Sequence, residues 1–369
     1  MSLLEESDAL HARARAVITA FAGGRAMPEP FDALAVDVAR FQARAVPGYA
    51  RLCAARGADP AAFAHAGDAP AVPTDAFKVA SVFAFAPSGA RVVFRTSGTT
   101  VGARGTHAMR DAGTYDAAAL AFGRATLARD MREPAVLVLG PSAAEAPDSS
   151  LAHMCSSFVD AFDPHPAGPA YFVHGGALDL DGLRARVAAL APSRPVLLLA
   201  TSFALVHLLD AVGRERIALP AGSRVMQTGG FKGRSREVAP DELRRGVAEA
   251  FGVPEAAVAG EYGMTELSSQ FWEAKLVDPA APPATYVEPP WARVVPVDPV
   301  SLAPVEHGAI GIARIEDLAN VDSAFAVVTQ DRVRRVDRGF ELLGRMPGAA
   351  PRGCSIAIDE MLSAKDAPS

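Results

Sequence analysis

The chain of 369 residues carries 36 lysines and arginines and 42 aspartates and glutamates, which gives a net charge of -6, and half of its residues are apolar. A chain of this length buries a large core and is expected to contain about two structural units. This balance excludes a disordered or fibrous protein, and the charge does not suggest a nucleic-acid partner.

The N-terminus carries acidic residues at Glu5, Glu6 and Asp8 and has no basic segment leading into an apolar run. It therefore does not read as a signal peptide. No stretch approaches the ~18 consecutive apolar residues that a transmembrane helix needs. We predict a cytoplasmic protein without a membrane span.

The three cysteines, Cys53, Cys155 and Cys354, are odd in number and far apart, which argues against a disulfide framework and against a CxxC zinc site. The eight histidines include no HExxH pair. No structural or catalytic transition metal is predicted. Cys53 and Cys155 lie in apolar surroundings and are predicted to be packing residues.

In chain order, apolar residues at helical spacing predict one helix over residues 3–21 and a second over residues 31–56. Prolines at 70, 73 and 87 then favour extended segments, which lead to a β-rich run at 91–95. The middle of the chain alternates between strand-like and helix-like stretches. The strands are predicted at 135–140, 195–200, 223–228 and 256–259, and the helices at 114–129, 183–190, 202–212 and 241–251.

After Trp272 prolines multiply, and short β-rich runs follow at 293–297, 309–315, 324–328 and 340–343. Alternation of strand and helix predicts an α/β protein with mostly parallel, doubly wound sheets and flanking helices, and the later runs add a β-rich subdomain. The predicted parts are an N-terminal helical and extended part at 1–95, an α/β nucleotide-binding part at 96–271, the β-rich part at 272–345 and a C-terminal tail at 346–369, with residues 363–369 frayed.

A loop without bulky side chains follows a predicted strand at Thr96, Ser97, Gly98, Thr99 and Thr100. Its four hydroxyls and its backbone N–H groups can converge on phosphate oxygens. It lacks the Gly-Lys-Ser/Thr ending of a Walker A loop, so Arg104 is the candidate cation. Taken alone, the loop fits a polar turn between a strand and a helix equally well.

Two further segments follow predicted strands. One runs through Glu261, Tyr262, Gly263, Met264, Thr265 and Glu266. Here Thr265 can donate to a phosphate while Glu266 holds Mg²⁺. The other contains Gly229 and Gly230, which let a flat ligand such as adenine approach the backbone. Ligands of open α/β sheets bind at the carboxyl ends of strands, so the three segments together predict one nucleotide site.

With these segments the chain resembles the acyl-protein synthetase (LuxE-like) family, the ligase component of bacterial fatty-acid reductase systems, within the superfamily of adenylate-forming enzymes. The resemblance covers most of the chain. It rests on residues 96–100, 229–234, 261–267, 329–331 with 344–345, and 352–355. It implies the large-domain fold of adenylate-forming enzymes, with ATP and Mg²⁺ as cofactors.

The resemblance also implies roles for individual residues. Thr265 would contact the α-phosphate, Glu266 the magnesium ion and Asp331 the ribose hydroxyls, for which a carboxylate is a natural acceptor. The alternative interpretation is that Asp331 is a charged loop residue at the end of a strand. The implied nucleotide contacts further include Gly229, Gly230, Glu261, Tyr262, Gly263 and Arg345.

Two features depart from the wider superfamily. Val101 stands where a glycine usually closes the phosphate loop. The sequence also has no counterpart of the mobile domain with a catalytic lysine, as is typical of the acyl-protein synthetase branch. Lys232 and Lys78 are candidates for the missing cation, against the simpler reading of each as a solvated surface lysine.

Cys354 lies between Arg352 and Asp359, with Arg345 upstream, and nearby guanidinium groups would favour its thiolate. A thiolate can attack an acyl-adenylate and hold the acyl group as a thioester, and the resemblance supports this role. A small buried hydrophobe is the alternative.

Three further residues are candidate substrate contacts. His107 follows the phosphate loop and is a candidate contact for phosphate or the substrate carboxylate. His153 and Ser202 are candidates for the wall of the acyl pocket. Each is otherwise an ordinary core or helix-face residue.

The sequence therefore predicts an adenylate-forming ligase that activates a carboxylic acid, with a fatty acid as the favoured substrate. The acyl group would pass to Cys354 and then to a partner such as an acyl reductase. A truncated ligase that hands an aryl or other acyl group to coenzyme A or a carrier protein is one alternative, and a non-catalytic nucleotide- or acyl-binding subunit is another. Self-association as a homodimer is favoured over a monomer.

Overall fold

The computed structural model describes residues 1–96, 104–229, 238–348 and 351–362. The chain divides into two compact units. Unit 1 comprises Met1–Ala121, Met264–Ser269 and Ala284–Ser369, and unit 2 comprises Phe122–Gly263 and Gln270–Pro283. Each unit is described by itself.

The helices of the described chain are α1 (Leu3–Ala22), α2 (Phe31–Ala45), α3 (Pro47–Ala55), α4 (Gly113–Ala125), α5 (Ser150–Phe162), α6 (Leu180–Ala188), α7 (Ser202–Val212), α8 (Pro240–Phe251) and α9 (Arg352–Leu362). Helix α1 begins at a capping box, in which Glu5 N donates to the Ser2 hydroxyl and Ser2 N donates to the Glu5 carboxylate. None of these helices is long and apolar enough to cross a membrane.

The strands in the described residues are β1 (Val72–Pro73), β2 (Val92–Arg95), β3 (Thr106–Met109), β4 (Ala135–Leu139), β5 (Val173–His174), β6 (Ala177–Leu178), β7 (Val196–Thr201), β8 (Arg224–Thr228), β9 (Val258–Tyr262), β10 (Phe271–Glu273), β11 (Thr285–Val287), β12 (Ala292–Val297), β13 (Ile310–Asp317), β14 (Ala326–Val336) and β15 (Gly339–Arg345).

Unit 2 is built on a parallel sheet in the order β4-β7-β8-β9, and β10 pairs antiparallel with β9. Every residue of β4 is buried, which requires that both faces of the strand are covered. One face packs against α7 and α8 through side chains such as Leu198, Leu205 and Phe251. Helix α5 contacts β4. This arrangement confirms the predicted α/β class, with its mostly parallel sheet and flanking helices.

Unit 1 contains the β-rich part of the chain. Its main sheet runs β12-β13-β14-β15-β11 with antiparallel pairing, and β1 adds in parallel to β14. Strands β2 and β3 form a separate antiparallel pair. The register of β14 against β15 shifts between Asp331 and Val333, which places a bulge next to Asp331. The predicted β-rich runs after Trp272 are confirmed as β12 to β15.

The structure adds detail to two predicted segments. The helical stretch predicted over 31–56 is two helices, because Pro47 cannot continue α2 and instead occupies the first position of α3. The predicted C-terminal tail contains helix α9, which packs against α3. Helix α5 and strands β3, β5, β6, β10 and β11 were not predicted.

Candidate functional site

The carboxyl ends of β7, β8 and β9 form the edge of the unit 2 sheet where the sequence predicted ligand contacts. Thr201 lies beside Thr228, and Thr228 lies beside Glu261. Because neighbouring residues of parallel strands point to the same face, the Thr228 hydroxyl reaches the Glu261 carboxylate and donates a hydrogen bond to its Oε2. Two side chains thereby link the ends of β8 and β9.

The carboxyl group of Glu261 is removed from water. Burial raises its pKa from the usual 4.5 to about 7, and the hydrogen bond from Thr228 opposes the rise. At neutral pH the group is therefore close to half-protonated. A carboxyl group with such a pKa at the ligand edge of an α/β sheet is typical of a functional site.

Glycines shape the backbone around this carboxyl group. Gly229 adopts a φ of 70°, which favours glycine. A Cβ on Gly263 would lie 2.2 Å from Glu261 Oε1, so a side chain at that position would collide with the carboxylate. The Ser202 hydroxyl donates to the carbonyl of Gly229 at 2.7 Å. Ser202 thus holds the turn after β8 rather than lying free in a pocket.

The remaining predicted residues of unit 2 lie on β9 and α5. Tyr262 is buried and its ring packs on Phe271, with centroids 5.9 Å apart. His153 is half-buried in α5. Cys155 is buried on the same helix, and burial together with the nearby Glu261 carboxylate raises its pKa to about 12. Cys155 is therefore a neutral thiol close to Glu261, which agrees with its predicted packing role.

The segment Met264–Ser269 belongs to unit 1, where the buried carboxylate of Asp317 fixes its position. Asp317 accepts hydrogen bonds from the Ser268 N–H at 2.9 Å and from the Ser269 hydroxyl at 2.8 Å. It also accepts from the Ala319 N–H at 3.0 Å. Burial raises the pKa of Asp317 to about 6, and these hydrogen bonds oppose the rise. The sequence analysis did not identify this residue.

Asn320 and His107 hold the backbone of the two residues assigned to phosphate and magnesium. Asn320 Nδ2 donates to the carbonyl of Glu266 at 2.9 Å, and the Ser268 hydroxyl donates to Asn320 Oδ1 at 2.5 Å. His107 Nδ1 lies 2.7 Å from the carbonyl of Thr265. These contacts fix the backbone of the turn that carries Thr265 and Glu266.

His107 is a neutral imidazole. The ring is buried, and burial lowers its pKa to about 4 although the Thr265 carbonyl favours the protonated form. Since a carbonyl only accepts, Nδ1 carries the proton and donates to Thr265. The structure gives His107 a contact with the Thr265 backbone, while its predicted contact with phosphate or substrate stays a prediction.

Thr96, the first residue of the predicted phosphate loop, pairs with Gly105 through two hydrogen bonds. Its hydroxyl accepts from the Gly105 N–H at 2.8 Å, and its own N–H donates to the Gly105 carbonyl at 2.9 Å. Arg104 donates to the carbonyls of Thr96 and Arg95 at 2.7 and 3.1 Å. Other predicted loop and cation residues lie outside the described chain, namely Ser97, Gly98, Thr99, Thr100, Gly230 and Lys232.

Asp331 lies on β14 opposite Arg345 of β15. Arg345 donates to Gln330 Oε1 at 3.2 Å, and Gln330 Nε2 donates to Asp75 at 2.9 Å. Lys78 forms an ion pair with the same Asp75 at 2.6 Å. The two nucleotide-contact candidates therefore lie side by side at the end of a strand pair.

Cys354 is buried on α9, with 2% of its surface exposed. Burial raises the pKa of its thiol to about 11, and the nearby Asp75 carboxylate adds to the rise. The rise in the pKa of Cys354 is opposite to the lowering that the sequence predicted from the neighbouring arginines. In this conformation Cys354 is a thiol and not a thiolate.

We predict that Cys354 reacts slowly with iodoacetamide in the native protein. At pH 8 a thiol with a pKa of about 11 has roughly 100-fold less thiolate than one with the usual 9.0, and burial slows the reaction further. Peptide mass spectrometry after timed labelling measures the rate, with the urea-unfolded protein as the control. A native rate within about threefold of the unfolded rate would contradict the buried thiol.

We also predict a pH-dependent stability that arises from Glu261. Its folded pKa of about 7 exceeds the usual 4.5, so the folded state holds a proton that the unfolded state loses as pH rises. The contribution of Glu261 to the free energy of unfolding is then fully present below pH ~4.5. It falls by about 3 kcal/mol as pH rises to ~7. Urea unfolding of Glu261→Gln from pH 5 to 8 should lack this decline. A slope equal to that of the wild type would show that Glu261 does not titrate in this range.

Sequence comparison gives no assignment, because no family model and no curated protein matches the chain. Structure comparison does give matches. The chain is similar to 2-hydroxyisobutyryl-CoA ligase in an open conformation with 2-HIB-AMP and CoA, with a TM-score of 0.60 and 14% identity over 87% of this chain and 76% of the ligase. The same ligase in its thioesterification state matches with a TM-score of 0.60 and 15% identity over 94% of this chain and 68% of the ligase.

A further match is ATP-bound MatB from Rhodopseudomonas palustris, with a TM-score of 0.48 and 16% identity. It covers 71% of this chain and 49% of MatB, so the chain spans about half the length of that protein. At identities this low the comparisons establish shared architecture alone. The chain has the fold of 2-hydroxyisobutyryl-CoA ligase, which agrees with the fold predicted from the resemblance.

Proposed function

We propose that this protein activates a carboxylic acid with ATP, forming an acyl-adenylate and releasing pyrophosphate. One observation carries the proposal: the fold is that of a ligase whose structures contain the acyl-adenylate 2-HIB-AMP. The predicted motif residues support it, because they combine hydroxyls that can bind phosphate with acidic groups.

Within unit 1, Thr265 is proposed to donate to the α-phosphate and Asp331 to accept from the ribose hydroxyls. The adenine contact of Gly229 and Gly230 stays a prediction from the sequence. The fixed turn supports the first role, because Asp317, Asn320 and His107 hold the backbone around Thr265 through hydrogen bonds of 2.5–3.0 Å. A donor that is already in place loses little entropy when it binds a phosphate.

Glu266 is the proposed magnesium ligand. No group of three His, Cys, Asp or Glu residues in the described ranges could hold a metal ion by itself. Mg²⁺ is usually held by one or two carboxylates together with substrate phosphates and water. When bound there, Mg²⁺ would neutralise charge on the phosphates.

The adenylation step needs a cation beside the α-phosphate. An oxygen of the substrate carboxylate attacks the α-phosphorus, and the bond from that phosphorus to the pyrophosphate oxygen breaks. Negative charge builds on the phosphate oxygens in the transition state. Arg104, Lys78 and Lys232 are the candidates. Lys78 pairs with Asp75, and Arg104 donates to the carbonyls of Thr96 and Arg95.

A fatty acid remains the proposed substrate class. A thiol is the proposed acyl acceptor. The thiol is that of Cys354 or that of coenzyme A or a carrier protein. Because Cys354 is buried and protonated, its acylation requires α9 to expose it, whereas acylation of an external thiol needs no such movement.

Mass spectrometry after incubation with ATP and acid separates the internal acceptor from an external one. An acyl mass on Cys354 that is lost in Cys354→Ser supports the internal acceptor, and its absence supports an external one.

Carboxylate-dependent exchange of labelled pyrophosphate into ATP tests the proposed function. A panel of aliphatic, hydroxylated and aromatic acids should contain at least one that supports exchange, and the best acid identifies the substrate class. Fatty acids should lead the panel, whereas an aromatic or short acid in first place would favour the alternative ligase. No exchange with any acid, in the presence of ATP binding, would support a non-catalytic nucleotide-binding subunit instead.

A further inference from the structure

Unit 1 contains a cavity of about 220 Å³ that none of the motifs explains. Helices α3 and α9 and strands β12, β13 and β14 contribute to its wall. Its buried lining is mostly apolar and includes Leu52, Ala71, Val297, Val328 and Ala357. Gly67, Asp68 and Ser301 also line it and are exposed, so they form the mouth. The cavity therefore has apolar side chains in its interior and an opening to solvent.

The charged group of the interior is Arg314, whose side chain is nine-tenths buried. Its Nε donates to Glu316 at 3.1 Å, and its Nη2 donates to the carbonyls of Ala66 and Ala69 at 2.8 Å each. Nη1 has no hydrogen-bond partner among the residues that the structure describes. The guanidinium is thus held rigidly by three bonds while one of its donor groups is left for a ligand.

The charged groups around the cavity balance closely. The guanidinium groups of Arg314 and Arg56 line it with the carboxylate of Asp68, and Arg314 pairs with Glu316 at 3.1 Å. Asp68 Oδ2 already accepts the N–H groups of Ala64 and His65 at 2.7 and 2.9 Å. Arg56 pairs with Glu360 at 2.6 Å near the mouth. The hydrogen-bond donor that remains in the interior is Nη1 of Arg314.

From this geometry we infer that the cavity beneath α9 is a binding site for a small monocarboxylate with an apolar body. The carboxylate accepts from Nη1 of Arg314, and the apolar body packs on Leu52, Val328 and Ala357. An apolar cavity of about 150 Å³ holds a benzene ring. The cavity here has room for such a ring and a carboxylate together.

Occupation of this site would stabilise α9, because Ala357 forms part of the wall. Polar contacts of the helix include those of Arg51 with the Met361 carbonyl at 2.7 Å, of Gly353 N with the Pro299 carbonyl at 3.1 Å, and of Arg56 with Glu360 at 2.6 Å. A ligand that fills the space below the helix adds contacts to it. Binding and thermal stability therefore report on the same event.

Calorimetric titration with benzoate, in the absence of ATP, tests the site. We expect saturable binding with a Kd on the order of 1 mM and a rise in Tm. Ala357→Leu fills the cavity without changing its charges and should weaken binding at least about tenfold. Ile356→Leu, at the exposed neighbouring position of the same helix, should bind as the wild type does. Benzyl alcohol, which keeps the ring but lacks the carboxylate, should bind at least about tenfold more weakly.

Two further outcomes decide the inference. Arg314→Met should lose benzoate binding if it folds, and Ala357→Leu provides the same test if it does not. Benzoate binding of equal strength in Ala357→Leu and the wild type would place the ligand elsewhere and overturn the inference, as would no binding at about 10 mM. Since ATP is absent and no turnover is measured, failure of the adenylation proposal leaves this test unaffected.

Discussion

Asp317→Ala is expected to lower the free energy of unfolding by about 3–5 kcal/mol. The carboxylate is fully buried and accepts hydrogen bonds from Ser268 N, Ser269 Oγ and Ala319 N. Alanine leaves these three buried donors without an acceptor and opens a small void. Each unsatisfied donor costs about 1–3 kcal/mol. The burial cost of Asp317 itself, visible in its raised pKa, keeps the net effect below the simple sum.

Urea unfolding at pH 7.5 measures the effect of Asp317→Ala. Glu306→Ala, at an exposed position of the same unit, is the matched control and should change stability by less than about 0.5 kcal/mol. Because Asp317 also fixes the segment that carries Thr265 and Glu266, pyrophosphate exchange should fall even under conditions where the variant is folded. A loss of stability below about 1 kcal/mol would show that the three donors find other partners.

Glu266→Gln is expected to reduce acid-dependent pyrophosphate exchange by about 100- to 1,000-fold. The amide keeps the size of the side chain but removes the negative charge that the proposed Mg²⁺ contact requires. The hydrogen bond from Asn320 is made to the backbone carbonyl of Glu266, so the substitution leaves this contact in place. The Mg²⁺ concentration that gives half-maximal exchange should rise at least about tenfold.

The Mg²⁺ dependence separates a ligand from a structural residue. A variant that is merely misfolded loses activity at every Mg²⁺ concentration, whereas a weakened metal site regains part of it as Mg²⁺ increases. Glu306→Gln is the control and should retain the wild-type curve. If Glu266→Gln loses exchange with an unchanged Mg²⁺ midpoint, Glu266 acts on the nucleotide by another route.

The parallel strands of unit 2 could be predicted from sequence because burial on both faces leaves a continuous apolar signal. The runs predicted at 135–140 and 195–200 match β4 and β7 to within one residue at each end. The helix predicted at 202–212 matches α7, whose first turn is capped by Thr201. In these segments the local pattern and the tertiary environment agree.

The positions of the candidate site residues were harder to predict, since they depend on contacts between distant segments. The hydrogen bond between Ser268 and Asp317 joins residues 49 positions apart, and that between His107 and Thr265 joins residues 158 apart. No local motif signals such pairs. The protonation of Glu261 and of Cys354 follows from burial, which the sequence does not display at either residue. Helix α9 was not predicted, although its buried residues Cys354, Ala357 and Met361 recur at helical spacing.

The division of unit 1 into three chain segments has a consequence for biosynthesis. Ser7 of α1 donates to Asp322, a residue 315 positions later in the chain. At about 5–20 residues per second a ribosome needs roughly 15–60 s to supply that partner. Most of unit 2 lies in one continuous stretch and can fold during this interval. The surfaces of the first 121 residues that pack on the later segments of unit 1 stay uncovered until those segments are synthesised.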